Sequence, residues 1–114
     1  MGGGGLSAST KDVVLFNQAL LRSELIADET MKMVFTSMVL NNGEKTNYGF
    51  GLQFEVDDKG RRYAWHSGRS RGGRNALIIY PDERLIVCIS ANTNGVGIVE
   101  EAERIAQSYL NEMN

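Results

Sequence analysis

Two neighbouring runs, "RNALIIY" at 74–80 and "RLIVCISAN" at 84–92, constrain this chain more than any other feature. Pro81-Asp82-Glu83 between them is turn chemistry, so they read as consecutive antiparallel strands. In the second run Leu85, Val87, Ile89 and Ala91 point one way, and Ile86 and Cys88 the other. A strand that is apolar on both faces needs cover above and below, so this sheet belongs inside a layered structure.

Upstream, Tyr48, Phe50, Leu52, Phe54 and Val56 alternate with Gly49, Gly51, Gln53 and Glu55. That period of two predicts a strand with one buried face. "DDKG" at 57–60 is a turn, and "RRYAWHS" returns from it as the second strand of a hairpin. Before residue 45 the period is helical. Ser9 with Asp12 three residues on is a capping-box pattern, and Val13, Phe16, Leu20 and Leu21 follow at helical spacing, predicting a helix over 10–22. Asp28 opens a shorter helix with Met31, Val34, Phe35 and Met38 on one side, and the polar stretch 40–47 is a loop. After the break "NGVG" at 94–97, Ile98, Ala102, Ile105 and Tyr109, with Val99, Ala106, Leu110 and Met113 beside them, make an amphipathic final helix.

The expected fold class is therefore α+β, a single domain over 1–114. It comprises a helical part (1–45), an antiparallel meander of about four strands (46–93) and a final helix (95–113) packed on the sheet. The final helix covers one sheet face. Two short N-terminal helices are thin cover for the other, which points to self-association through uncovered sheet surface or to a larger parent protein.

At 42% hydrophobic and 23% charged, the composition is that of a globular fold. A net charge of −2 gives no support to whole-molecule attraction to nucleic acid or anionic membrane. Yet Arg61, Arg62, Arg69, Arg71 and Arg74 fall in a stretch without an acid, a local anion-facing patch. One cysteine, Cys88, and one histidine leave no basis for a disulfide or a metal site, and no cofactor is expected. No apolar stretch is long enough to span a bilayer.

The candidate chemistry lies in "YAWHSGRSRGG" at 63–73. His66 is a general-base candidate by residue type, followed by the hydroxyl of Ser67 and by Gly68, which lets another backbone approach. The loop arginines suit a carboxylate. The plain alternatives are a structural histidine at a strand end and a solvated arginine loop. Tyr63 and Trp65 suit base stacking in a nucleic-acid reading, but they alternate in a strand and read as core.

In this order the motifs resemble the C-terminal part of the serine β-lactamase and penicillin-binding protein-like family, in its class C or esterase-like branch. "GGGGLSASTKDVVLFNQALL" is similar to the family's glycine-rich approach to a helix, "YGFGLQF" to its tyrosine–glycine–x–glycine strand, and "HSG" to its third active-site motif. Gly72-Gly73, "YPDERLIVCISAN" and the final helix follow in place. The resemblance implies that His66 and Ser67 contact a substrate carboxylate and support proton transfer. It also implies that Gly68 and the backbone N–H near Arg69 contribute to an oxyanion hole, and that Asn92 faces the site. The implied partner is a small carboxylate-bearing substrate. The family's S-x-x-K nucleophile is missing: Ala8, Glu29, Asn42 and Val56 stand three residues before Lys11, Lys32, Lys45 and Lys59. The second motif, Y-x-N or S-x-N, is missing before His66 as well. The expectation is a C-terminal fragment that carries one wall of a serine hydrolase site and is inactive alone. The alternative is a non-catalytic binding or interaction module. The family is often exported, but this chain shows no signal peptide from which to read a compartment.

Overall fold

The computed structural model describes residues 6–93 and 97–113; the glycine run at 2–5 and the break at 94–96 lie outside them. Helix α1 (Thr10–Leu21) begins where the Ser9 hydroxyl accepts the Asp12 N–H at 3.1 Å, as the capping pattern implies. Helix α2 (Asp28–Val34) is only 7 residues long, and the Ser23 hydroxyl donates to Asp28 in its first turn. Strands β1 (Gln53–Val56), β2 (Arg62–Ser70), β3 (Gly73–Tyr80) and β4 (Leu85–Ala91) form a meander in sheet order β1-β2-β3-β4, every pair antiparallel. Helix α3 (Ile98–Glu112) closes the chain, with Glu100 and Glu101 in the first turn, where the helix dipole favours acids.

The sheet is covered on both faces. Ile78 and Ile79, adjacent on β3, are 1% and 0% exposed and belong to opposite layers. On one face Tyr63, Ala76, Ile78, Tyr80 and Val87 pack against the Ile98, Ala102, Ala106 and Leu110 stripe of α3, an i, i+4 row along one side of the helix. On the other face Leu52, Ala64 and Ile79 pack against Leu21 and Phe35, with Leu20, Met31 and Val34 at the margin. The N-terminal helices thus cover the sheet near Ala64 and Ile79, while Leu77 and Cys88 farther along stay half-buried and His66 is exposed.

Three expectations are corrected. The strand predicted over 48–56 forms only from Gln53 onward. Gly51 takes a left-handed φ of +82° and its N–H bonds the Gly49 carbonyl, so the chain turns there and Phe50 is 58% exposed; Val56, at the end of β1, is 63% exposed as well. Helix α2 stops at Val34, so Met38 leaves its apolar side and is exposed. Strand β2 does not end at Ser67: the register continues through Gly68↔Asn75, Arg69↔Arg74 and Ser70↔Gly73, and the expected arginine loop shrinks to a tight turn at Arg71-Gly72.

The β1–β2 turn is tied to the rest of the molecule by a buried carboxylate. Asp57 accepts the backbone N–H groups of Lys59 and Arg61, both at 2.9 Å, and the Arg61 Nε at 2.8 Å. Gln107 of α3 donates to Asp57 at 3.2 Å and to the Tyr80 hydroxyl at 3.1 Å, while Arg61 donates back to Gln107 at 3.0 Å. Burial alone would raise the Asp57 pKa. Hydrogen bonds from Arg61, Gln107 and Lys59 outweigh it and hold the carboxyl well below the usual carboxylate range.

Two stability measurements follow from this packing. Ile79→Ala is expected to cost about 3 kcal/mol in urea unfolding, whereas the exposed Ile105→Ala stays within about 0.5 kcal/mol of wild type. Because the folded-state pKa of Asp57 is depressed, its contribution is present above its unfolded pKa of about 3.9 and fades as pH falls below it. Asp57→Asn should therefore lower the melting temperature at neutral pH and flatten the loss of stability below about pH 4, read by thermal melts across pH.

Candidate active site

β1 stops pairing with β2 at Gln53↔Trp65. From His66 to Ser70, β2 is paired with β3 alone among the described residues, so its other edge is open. The cause is local: the turn at Gly51 makes β1 four residues long against nine in β2. An open strand edge presents backbone N–H and C=O groups to whatever lies beside it.

Strand alternation distributes the candidate side chains over the two faces. His66 lies on the α1/α2 face, in the same alternation as Ala64. The Tyr48 ring stands edge-on to the imidazole at 6.3 Å between centroids, held by the Tyr48↔Gln53 bridge. Gly68 shares this face. A Cβ added there would sit 2.8 Å from the Asn75 Oδ1, so the missing side chain makes room for the Asn75 amide on the facing strand.

Ser67 and Arg69 lie on the α3 face, in the same alternation as Tyr63 and Trp65. They line a cleft with Arg74, Gly97, Val99 and Glu100, at the start of α3. Arg69 and Arg74 face each other directly across the hairpin, an opposition of like charges, and Glu100 lines the same cleft. His66 and Ser67 thus flank one strand edge from opposite faces and do not share a pocket.

Asn92 follows the last residue of β4 and stands level with the β2–β3 turn, whereas His66 aligns with Leu77 and Cys88. Four residues at about 3.3 Å and two strand spacings of about 4.8 Å separate Asn92 from His66. The structure does not bring these two together. Nor do the arginines form one patch. Arg61 is bonded to Asp57 and Gln107, and Arg62 pairs with Asp82 at 3.3 Å, both at the far end of β2 from Arg69.

Sequence reasoning missed Tyr48 and Asn75 as neighbours of the candidate motif. Tyr48 read as one tooth of a regular strand. Asn75 was recoverable from the tight turn at Arg71-Gly72, which sets the β2–β3 register and so places it opposite Gly68. Among the described residues no group of three or more His, Cys, Asp or Glu side chains is arranged to hold a metal ion.

The α+β layering and an open strand edge bearing a His-Ser-Gly motif define the class: one side of a β-lactamase-like fold. The beta-lactamase family profile matches residues 1–110, and the chain belongs to that family. It is 32% identical over 91 residues to penicillin-binding protein 4* of Bacillus subtilis, covering 80% of this chain and 20% of the relative. It is 28% identical over 95 residues to the D-aminopeptidases of Brucella ovis and Brucella canis, covering 83% of this chain and 18% of each relative. The chain thus spans about a fifth of the length of these relatives.

The close approach of Asn75 to Gly68 generates a double-mutant test. Gly68→Ala should destabilise the fold, and removing the obstructing amide with Asn75→Ala should recover part of that loss. A coupling of about 0.5 kcal/mol or more in denaturant unfolding is the expected result.

Proposed function

We propose that the chain is the C-terminal segment of a serine β-lactamase-like hydrolase and supplies the third wall of its active site. The observation that carries this reading is the open β2 edge at His66–Ser70, with the motif residues on it and no described strand against it. In the parent protein a serine hydroxyl from outside these residues loses its proton and attacks the substrate carbonyl; the C–N or C–O bond breaks, the amine or alcohol leaves with a proton, and water hydrolyses the acyl-enzyme to the acid and the free serine. His66 and Ser67 flank the approach and support proton transfer and contact with the substrate carboxylate. The backbone of the same edge near Gly68 and Arg69 supplies an oxyanion donor in this reading. Asn92, remote from His66, acts at the far end of the substrate. The relatives' names, penicillin-binding protein and D-aminopeptidase, put β-lactam and peptide substrates beside esters as candidates.

Without the nucleophile the chain alone is inactive. It associates instead through its exposed sheet surface, a reading favoured by half-buried Leu77 and Cys88 and exposed Tyr48 and Phe50. Incubating the pure chain with a chromogenic cephalosporin and with an activated ester is the test of the catalytic reading. No turnover above buffer is expected for wild type or for His66→Ala. Turnover that His66→Ala abolishes would show that the chain carries its own nucleophile and would sink the claim.

A further inference from the structure

At the end of the sheet that carries the β1–β2 turn, three elements bring side chains to one hydroxyl. Tyr63 of β2 is buried, and its hydroxyl donates to Glu55 Oε2 of β1 at 2.6 Å. The same hydroxyl lies within hydrogen-bond reach of the Glu103 carboxyl of α3, and Tyr63 and Glu103 line one cleft. A tyrosine has one hydrogen to donate, and an ionised carboxylate only accepts. With Glu55 and Glu103 both ionised, two acceptors face one donor, and the hydrogen is at Glu55.

The surroundings do not relieve this. Glu103 is half-buried and Glu55 exposed, and Glu100 lies one turn back on α3. On the turn, Asp57 is committed to Arg61 at 2.8 Å, while Asp58 and Lys59 are exposed at the rim of the cleft. Gln107 gives its amide to Asp57 and to Tyr80, and the Tyr80 ring of β3 stacks on Tyr63 at 5.2 Å between centroids. Burial first, and then the charges of Glu55 and Glu100, push the Glu103 carboxyl above its ordinary range. A bond donated by Tyr63 would pull it down, but that hydrogen is spent on Glu55. Burial and the Glu55 bond hold Tyr63 above its own ordinary range, so it keeps its proton.

We propose that Glu55, Tyr63 and Glu103 form an acid-closed clasp: Glu103 takes one proton from water, its O–H then donates to the Tyr63 oxygen, and Tyr63 donates to Glu55. Two hydrogen bonds in series then tie α3 through β2 to β1, each with one donor and one acceptor. The repulsion between the two carboxylates goes at the same step. A four-residue strand such as β1 has few ladder bonds of its own, so a tie to the helix layer matters most there. The clasp stands apart from the hydrolase reading.

Because the folded-state pKa of Glu103 is raised, this stabilisation is fully present below the unfolded glutamate value of about 4.3 and is lost as pH rises through the folded value. Asp57 acts with the opposite sign and at lower pH, so the two windows are separate. Thermal melts from pH 5 to 8 test the clasp, made on His66→Ala so that the chain's one histidine does not titrate among them. The melting temperature is expected to rise as pH falls. Glu103→Gln, whose amide can donate to Tyr63 at every pH, should be more stable at pH 8 and flatten that rise. A double-mutant cycle of Glu55→Gln with Glu103→Gln should show coupling at pH 8 that shrinks at pH 5. Carbon-13 NMR of the Glu103 carboxyl should give a midpoint above about 4.3. Tyr63→Phe should lower that midpoint, because the protonated form loses its acceptor. A midpoint that stays or rises in Tyr63→Phe, or a Glu103→Gln profile parallel to its reference, overturns the clasp; the Glu103→Gln melts decide alone where Tyr63→Phe does not fold.

Discussion

Ile78 and Ile79 are neighbours in the chain and both are removed from water, on opposite sides of one strand. The rest of the structure answers to that constraint. A strand buried on both faces cannot lie at the surface of a two-layer fold, so helices must stand above and below it. The long amphipathic α3 meets the demand on one side with its Ile98, Ala102, Ala106 and Leu110 stripe. On the other side α1 and the seven-residue α2 meet it near Ala64 and Ile79, and leave the row of His66, Leu77 and Cys88 more open. The more open half of that face and the open β2 edge adjoin one another, and the family motif lies there.

Polar chemistry is divided in the same way. At one end of β2, Asp57, Arg61, Gln107 and Tyr80 satisfy one another across the hairpin turn, the sheet and α3. Such a network fixes how the hairpin sits on the helix layer. At the other end, Ser67, Arg69, Arg74 and Glu100 line an open cleft, and the Tyr48 ring stands beside His66. One end of the strand is locked and the other presents functional groups. That division explains why an arginine-rich stretch in the sequence is not one electrostatic patch in space: its first two members serve structure, and Arg69 lies several residues farther along β2.

Much of the fold was legible in the chain. The capping pattern at Ser9, the switch of period after residue 45, the two-faced strands and the final amphipathic stripe each correspond to an observed element. The failures have local causes. Tyr48 and Phe50 keep the spacing of a strand, but backbone conformation at Gly51 turns the chain before the ladder starts, and side-chain periodicity carries no information about φ. Of the candidate site, the motif His66-Ser67-Gly68 was visible as one wall of a site, and how far the edge beside it stays open was not. That openness depends on how short β1 is, a property of a different segment.

The sequence by itself determined the layered α+β class, the hairpin order and membership of the beta-lactamase family, because periodicity and motif order are properties of neighbours along the chain. Tertiary structure alone decided that His66 and Ser67 flank one edge from opposite faces, that Asn75 lies over Gly68 and that Asn92 stands apart. Those facts follow from register and from which strand ends first. Register is set by pairing between segments distant in sequence, and no local pattern specifies it alone.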